Sequence, residues 1–178
     1  MHLLTLCGSL RAHSSNRALL RAYERLLPSP ATLEHYESLA LLPHFNPDLD
    51  RDPVPTEVKT LRSLVAGADA VIISTPEYAH GLPGALKNAL DWLVSDPSFV
   101  GKAIVILHIS RGSTWALDSL KEVLRTMSAE LIESAFVSIN LGSNQVCEDA
   151  ILAQADLCQV LQSSLRHLLT GRQGDKHS

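Results

Sequence analysis

The chain has 178 residues, 46% of them hydrophobic and 19% charged, which suits one globular domain with a buried core. Its net charge of −4 offers nucleic acid no bulk electrostatic attraction, and no apolar run approaches the ~18 residues of a membrane span. MHLLTLCGS lacks the basic and long apolar segments of a signal peptide, and three cysteines without a C-x-x-C pair suit reduced thiols in the cytoplasm.

In chain order, Leu3 to Cys7 is a short apolar run that fits a first buried strand, with Cys7 an inert core thiol. Gly8 and Ser9 end it. A polar loop, Leu10 to Ser15, leads into a helix that Ser14 or Ser15 can cap and whose apolar stripe is Ala18, Leu19, Ala22, Leu26 and Leu27. Pro28 and Pro30 stop this helix, and Leu33 to Tyr36 is a weaker second strand. The Pro-containing segment Glu37 to Pro55 follows. A connection that long is more often functional or interface-forming than idle. Val54 to Gly67 reads as a second helix with Gly67 as its C-cap.

Ala70-Val71-Ile72-Ile73 reads as a third strand, buried on both faces. Pro76 ends it, Glu77 to Gly81 form a short loop, and Pro83 suits the first turn of a helix. Leu82, Leu86, Ala89, Leu90 and Leu93 give that helix one apolar face, with Lys87 and Asp91 able to pair on the other. Ala103 to Leu107 is a fourth strand, Ser110 to Thr114 a polar loop, and Trp115 to Ala129 a helix. Leu131 to Val137 is expected as a fifth strand and Glu148 to Leu169 as a final helix. The expected organisation is one domain over residues 1–170 and a frayed polar tail over 171–178.

Strand and helix alternating five times define an α/β fold: a parallel, doubly wound sheet with helices on both faces, a three-layer sandwich. Five strands favour the flavodoxin-like order 2-1-3-4-5, whose switch point lies between the first and third strands. Gly8–Asn16 and Pro76–Gly81 are the loops at that point. The first offers hydroxyls, an amide and Arg11 at a helix N-terminus, where an anion such as a phosphomonoester is favoured. It matches neither G-x-x-x-x-G-K-[ST] nor G-x-G-x-x-G, and an ordinary serine-capped helix is the plainer account. The second offers the Tyr78 ring on a loop stiffened by two prolines, suited to a flat heteroaromatic ligand or simply to a surface turn. Ser110 to Thr114 could close the far edge.

With these residues in place, the chain resembles the NAD(P)H-dependent FMN reductases, a family that includes chromate- and quinone-reducing flavoproteins. Gly8, Ser9, Arg11, Ser14 and Asn16 match a first motif of the form G-S-x-R-x-x-S-x-N. Pro76, Glu77, Tyr78, Gly81, Pro83, Gly84, Leu86 to Leu90 and Asp91 match a second of the form P-E-Y-N-x-[SG]-x-P-[GA]-x-L-K-N-A-[IL]-D. The resemblance spans about residues 1 to 170. It implies that Ser9, Arg11, Ser14 and Asn16 hold the FMN phosphate. It also implies that Pro76, Glu77 and Tyr78, with Ala79, His80, Ser110 and Gly112, surround the isoalloxazine ring. A homodimer or homotetramer is implied as well, with the flavin near a subunit interface. Two departures stand out: Ala79 replaces the Asn usual after P-E-Y, and the third loop has one glycine, Gly112, where two are common.

The resemblance implies that FMN accepts hydride from NADPH or NADH and passes electrons to a flavin, quinone or similar small-molecule acceptor, by ping-pong kinetics. No side chain is then required as acid or base. An FMN-binding carrier or redox sensor without reductase activity is the main alternative, motivated by the two departures, and a flavin-free interaction domain is the third. The eight histidines show no metal-ligand spacing. Asp48, Asp50 and Asp52 read as a solvated acidic loop, His108 as a packed or hydrogen-bonded core histidine, and Arg111 as a solvated loop residue or a nicotinamide-dinucleotide phosphate contact.

Overall fold

The computed structural model describes residues 1–143 and 146–171. Its strands are β1 (His2–Cys7), β2 (Thr32–Tyr36), β3 (Ala70–Ser74), β4 (Ala103–Ile109), β5 (Glu130–Leu131) and β6 (Val137–Ile139). The helices are α1 (Ser15–Arg25), α2 (Thr56–Gly67), α3 (Gly84–Leu93), α4 (Trp115–Thr126), α5 (Glu148–Leu152) and α6 (Ala155–Gly171). Every strand pairing is parallel. The order is β2-β1-β3-β4, with β5 alongside the start of β4 and β6 alongside its end.

Alternation along each strand divides the core into two. Leu4, Leu6, Val71, Ile73, Ile104 and Ile106 face one way and meet α2, α3 and α4. Leu3, Ala70, Ile72, Val105 and Leu107 face the other and meet α1 and α6. All five residues of β3 and all seven of β4 are buried, as strands covered on both faces require. The flavodoxin-like sandwich expected from the alternation is therefore the observed fold.

The expected fifth strand is two. Ile132 N–H still bonds to the Ile104 carbonyl, at 3.0 Å, but the chain then tightens into a 3₁₀ turn over Glu133–Ala135 before pairing with β4 again. The Ala135 carbonyl turns away from the sheet and accepts the Ser164 hydroxyl from α6, while the Tyr23 hydroxyl of α1 bonds to Ser164 Oγ at 2.9 Å. Burial pushes the Tyr23 phenol up to about 12. The expected final helix is also divided, at Ala153 and Gln154, into α5 and α6. Gly67 is the last residue of α2 and Ala68 its C-cap, while Pro83 is the N-cap of α3 rather than its first residue. The expected tail lies, apart from Gly171, outside the described residues.

The long connection from β2 to α2 holds two 3₁₀ turns, Leu39–Leu41 and Pro47–Leu49, and is pinned by side chains from elsewhere. Asn88 of α3 accepts the Phe45 N–H at 2.7 Å and donates to the Pro43 carbonyl at 3.0 Å. Trp92, fully buried, donates its indole N–H to the same carbonyl at 2.7 Å and meets Phe45 edge-on. Arg62 bonds to Asp50 and to the Trp92 carbonyl, so the acidic patch is an anchor at Asp50. The Ser95 hydroxyl, and then Arg62, hold the Asp50 carboxyl below its usual range. Asn88→Ala orphans the Phe45 N–H and leaves the Pro43 carbonyl with Trp92 as its one remaining donor. It should lower stability by about 1–3 kcal/mol, read as a shifted urea midpoint with an unchanged slope and faster hydrogen exchange at Phe45.

Candidate active site

The C-terminal ends of β1, β3 and β4 bring three loops to one cleft of about 210 Å³. β1 and β3 can lie side by side there because residue 8 has no side chain. A Cβ on Gly8 would meet Thr75 Oγ1 at 2.2 Å and Thr75 Cβ at 2.8 Å. That close packing lets the Gly8 N–H reach the Ser74 carbonyl at 2.8 Å. The Ser74 hydroxyl, fully buried, lies 2.9 Å from Asn16 Oδ1 and 2.8 Å from the Leu107 carbonyl, so it joins α1 to β4 through β3.

From the first loop the cleft takes Ser9, Arg11, Ser14 and Asn16, the four residues expected to hold a phosphate, and adds Ser15. Ser14 is the N-cap of α1, yet its side chain makes no capping bond to the helix. The expected serine cap is thus present in backbone only. Ser15 was not expected at the cleft, and its hydroxyl is engaged by the Val146 N–H at 3.2 Å. Cys7, at the end of β1, is a buried thiol that burial pushes up, so it is not a reactive thiolate.

From the second loop the cleft takes Pro76, Glu77 and Tyr78. Ala79 and His80 lie off the cleft wall, at the tip of a turn closed by mutual backbone bonds between Tyr78 and Gly81. Both tip residues are left-handed, at φ 50° and 58°. This accounts physically for Asn being usual at position 79 in the resemblance: Asn tolerates the left-handed region better than Ala does.

From the third loop the cleft takes Arg111 and Ser113, with His108 and Ile109 at the end of β4. Ser110 and Gly112, the two residues expected from this loop, are not in the wall. Gly112, at φ 89°, makes the bend that presents Ser113. Arg111 donates to the Ser143 carbonyl at 2.9 Å.

The second and third loops are tied together. The Glu77 carboxylate accepts the Ala116 N–H in the first turn of α4, at 3.0 Å, and the Ser113 hydroxyl. His80 stacks on Trp115, with ring centroids 5.9 Å apart and planes 22° apart. His108 is packed as expected but not hydrogen-bonded: it is 7% exposed, and its Nε2 is sealed without a partner among the described residues. Burial lowers its pKa below 6.5, against the pull of Glu77 and Asp118.

This donor set fits a flavin phosphate. Serine hydroxyls, Arg11 and the open first turn of α1 suit a dianion, and Pro76 and the half-exposed Tyr78 ring offer flat apolar surface beside it. Among the described residues no cluster of metal-ligating side chains occurs. A doubly wound sheet with an anion cradle and an aromatic loop at its switch point defines a flavodoxin-like flavoprotein.

Residues 1–144 match the family model described as NADPH-dependent FMN reductase, and the chain belongs to that family. It is accordingly an FMN-dependent NAD(P)H oxidoreductase. It is 36% identical over 151 residues to the NADH:(hydroxy)cinnamate reductase subunit CrdA of Vibrio ruber, covering 82% of this chain and 73% of that one. It is 35% identical over 115 residues to the quinone reductase of Escherichia coli K12, covering 63% of this chain and 61% of that protein. In fold it resembles FerB, a flavoenzyme NAD(P)H:(acceptor) oxidoreductase from Paracoccus denitrificans. The TM-score is 0.72 at 24% identity, over 95% of this chain and 97% of that one.

Two predictions follow from the tight joints of the cleft. Gly8→Ala should cost about 1–3 kcal/mol by overpacking and weaken FMN retention, whereas Gly8→Ala combined with Thr75→Gly should recover most of both. Thermal melts and flavin content after desalting check this. The Glu77 carboxyl is held below its usual 4.5, first by the Ala116 N–H and then by the Ser113 hydroxyl. A depressed folded-state pKa contributes stability above the unfolded-state value and loses it as pH falls through the folded-state value. The Ala116 amide proton followed by NMR should therefore titrate with a midpoint below the usual 4.5 of a glutamate.

Proposed function

We propose that this cleft holds FMN and that the enzyme passes electrons from NADPH or NADH to a quinone-type small-molecule acceptor. The observation that carries this reading is the first turn of α1. Its capping serine leaves the helix amides uncapped by a side chain, and Ser9, Arg11 and Asn16 line the same wall. Ser9, Arg11, Ser14 and Asn16 hold the phosphate. Pro76, Glu77 and Tyr78 flank the ring system, and the turn at Ala79 and His80 and the loop from Ser110 to Gly112 set its outer limits. When bound, FMN supplies the two-electron chemistry. The protein's part is to orient both partners over one face and to exclude water from the inner wall.

The quinone reductase and hydroxycinnamate reductase names of the relatives support an unsaturated carbonyl compound as acceptor. Leu10 and Tyr78, on two of the loops that frame the cleft, and Trp115, at the start of α4, are 53%, 50% and 61% exposed. Such surface supports a homodimer or homotetramer in which a second copy covers it. All three cysteines are free thiols and no helix among the described residues is long and apolar enough to cross a membrane, which supports a cytoplasmic setting. The carrier alternative drew on Ala79 and the single glycine. Ala79 lies at a turn tip off the cleft wall and Gly112 makes the bend that presents Ser113, so bleaching of the bound flavin by NADPH decides between the two readings.

The test is an absorbance spectrum of the protein after FMN loading and desalting, followed by anaerobic NADPH. Retained flavin bands that bleach are expected, while retained bands that persist would leave a carrier or sensor. Arg11→Ala should weaken FMN binding about 10–100-fold and riboflavin far less, because only FMN carries the phosphate. Equal losses for both ligands in a fluorescence titration would place the phosphate elsewhere.

A further inference from the structure

The His108 side chain has no part in the phosphate cradle, although its backbone belongs to the sheet. It stands one residue from the end of β4, opposite Ser138 of β6, and forms part of the cleft wall. It is 7% exposed, with Nε2 sealed and unpartnered among the described residues. A buried polar atom left unpaired is costly, and at a ligand cleft it marks a group kept for something other than stability. The charged groups that act on it are Glu77 from the loop after β3, and Asp118 and Lys121 from α4. Lys121 also sits over the Phe136 ring, 5.5 Å from its centroid. Burial and Lys121 favour the neutral imidazole, while the two carboxylates favour the charged one. Burial prevails and holds the imidazole below its ordinary value, so the ring rests neutral and one more negative charge in the cleft draws it toward the protonated form.

We propose that His108 stores the proton that the acceptor half-reaction consumes. This rests on the FMN site proposed above. NAD(P)H gives up a hydride, two electrons and a proton, and leaves as NAD(P)⁺. The cleft thereby gains one negative charge, and a proton from solvent reaches the His108 imidazole from the side that lines the cleft. In the second half-reaction the hydride passes to the quinone, the imidazole proton follows to the same molecule, and hydroquinone leaves with His108 neutral again. The sum is NAD(P)H, one proton and quinone giving NAD(P)⁺ and hydroquinone. His108 holds the proton between the two halves, beside Glu77, whose carboxylate stabilises the imidazolium.

The experiment measures proton uptake on dithionite reduction of the FMN-loaded enzyme near pH 6.5, with a pH-indicating dye in weak buffer, for wild type and His108→Gln. Up to one extra proton per flavin is expected in the wild type, and none of that excess in the variant. The wild-type midpoint potential should also fall more steeply with pH, by up to about 29.6 mV per unit for the extra proton. Wild-type protein with isotope-labelled histidine provides a second readout that does not depend on the variant folding. The His108 proton affinity should rise at least tenfold on reduction. Equal uptake, equal slopes or an unchanged affinity overturns the proposal. Because dithionite replaces the nicotinamide, failure of NADPH to bleach the flavin would sink the reductase reading alone, whereas failure to retain FMN would sink both.

Discussion

The site depends on a contact distance. β1 and β3 converge at Gly8 and Thr75 more closely than any side chain at position 8 permits. This approach places the serine-rich turn of α1 next to the loop that carries Tyr78, and it lets Ser74 reach both Asn16 and the Leu107 carbonyl. A wider joint would leave a serine-rich helix start on one side and an aromatic turn on the other, with no shared wall. The glycine is therefore required by packing, not by an unusual dihedral angle.

Around that joint the molecule uses two kinds of rigidity. The inner wall is held by buried strands and short backbone bonds. The outer wall is held by side chains that cross between loops, the Glu77 carboxylate onto the start of α4 and the His80 ring onto Trp115. The outer wall therefore depends on side chains where the inner wall depends on backbone. Further out, the β2–α2 connection is fixed by Asn88, Trp92 and Arg62, none of which touches the cleft. Part of the motif that marks the family, the Leu86–Asp91 run, thus includes a residue that fastens a remote loop.

What could be read from residues alone follows from how local the physics is. The buried run Ala70–Ile73 and the polar breaks at Gly8 and Pro76 carry their meaning in sequence, and so does the order they impose on the sheet. The break in Leu131–Val137 does not: the run is apolar enough for one strand, and only Ser164, 29 residues beyond Ala135, takes the carbonyl that the turn releases. Ala79 stands out in sequence as a replacement of the usual Asn, but only the structure shows that the position takes a positive φ. Ser110 and Gly112 were placed at the cleft by the loop they belong to, but the bend at Gly112 presents Ser113 instead. His108 sits in a run that reads as core, and nothing in the sequence indicates that one of its nitrogens lacks a partner.

The divided last strand has a consequence for the molecule among its neighbours. An open sheet presents unpaired N–H and C=O groups along both margins, and such margins invite strand addition by another chain. Here one margin consists of a two-residue and a three-residue piece separated by a 3₁₀ turn, too short and too kinked to template an incoming strand. The other is β2, five residues long with Thr32 and Glu34 exposed to water. The same turn that hands the Ala135 carbonyl to α6 therefore also protects a highly apolar sheet against edge-to-edge aggregation.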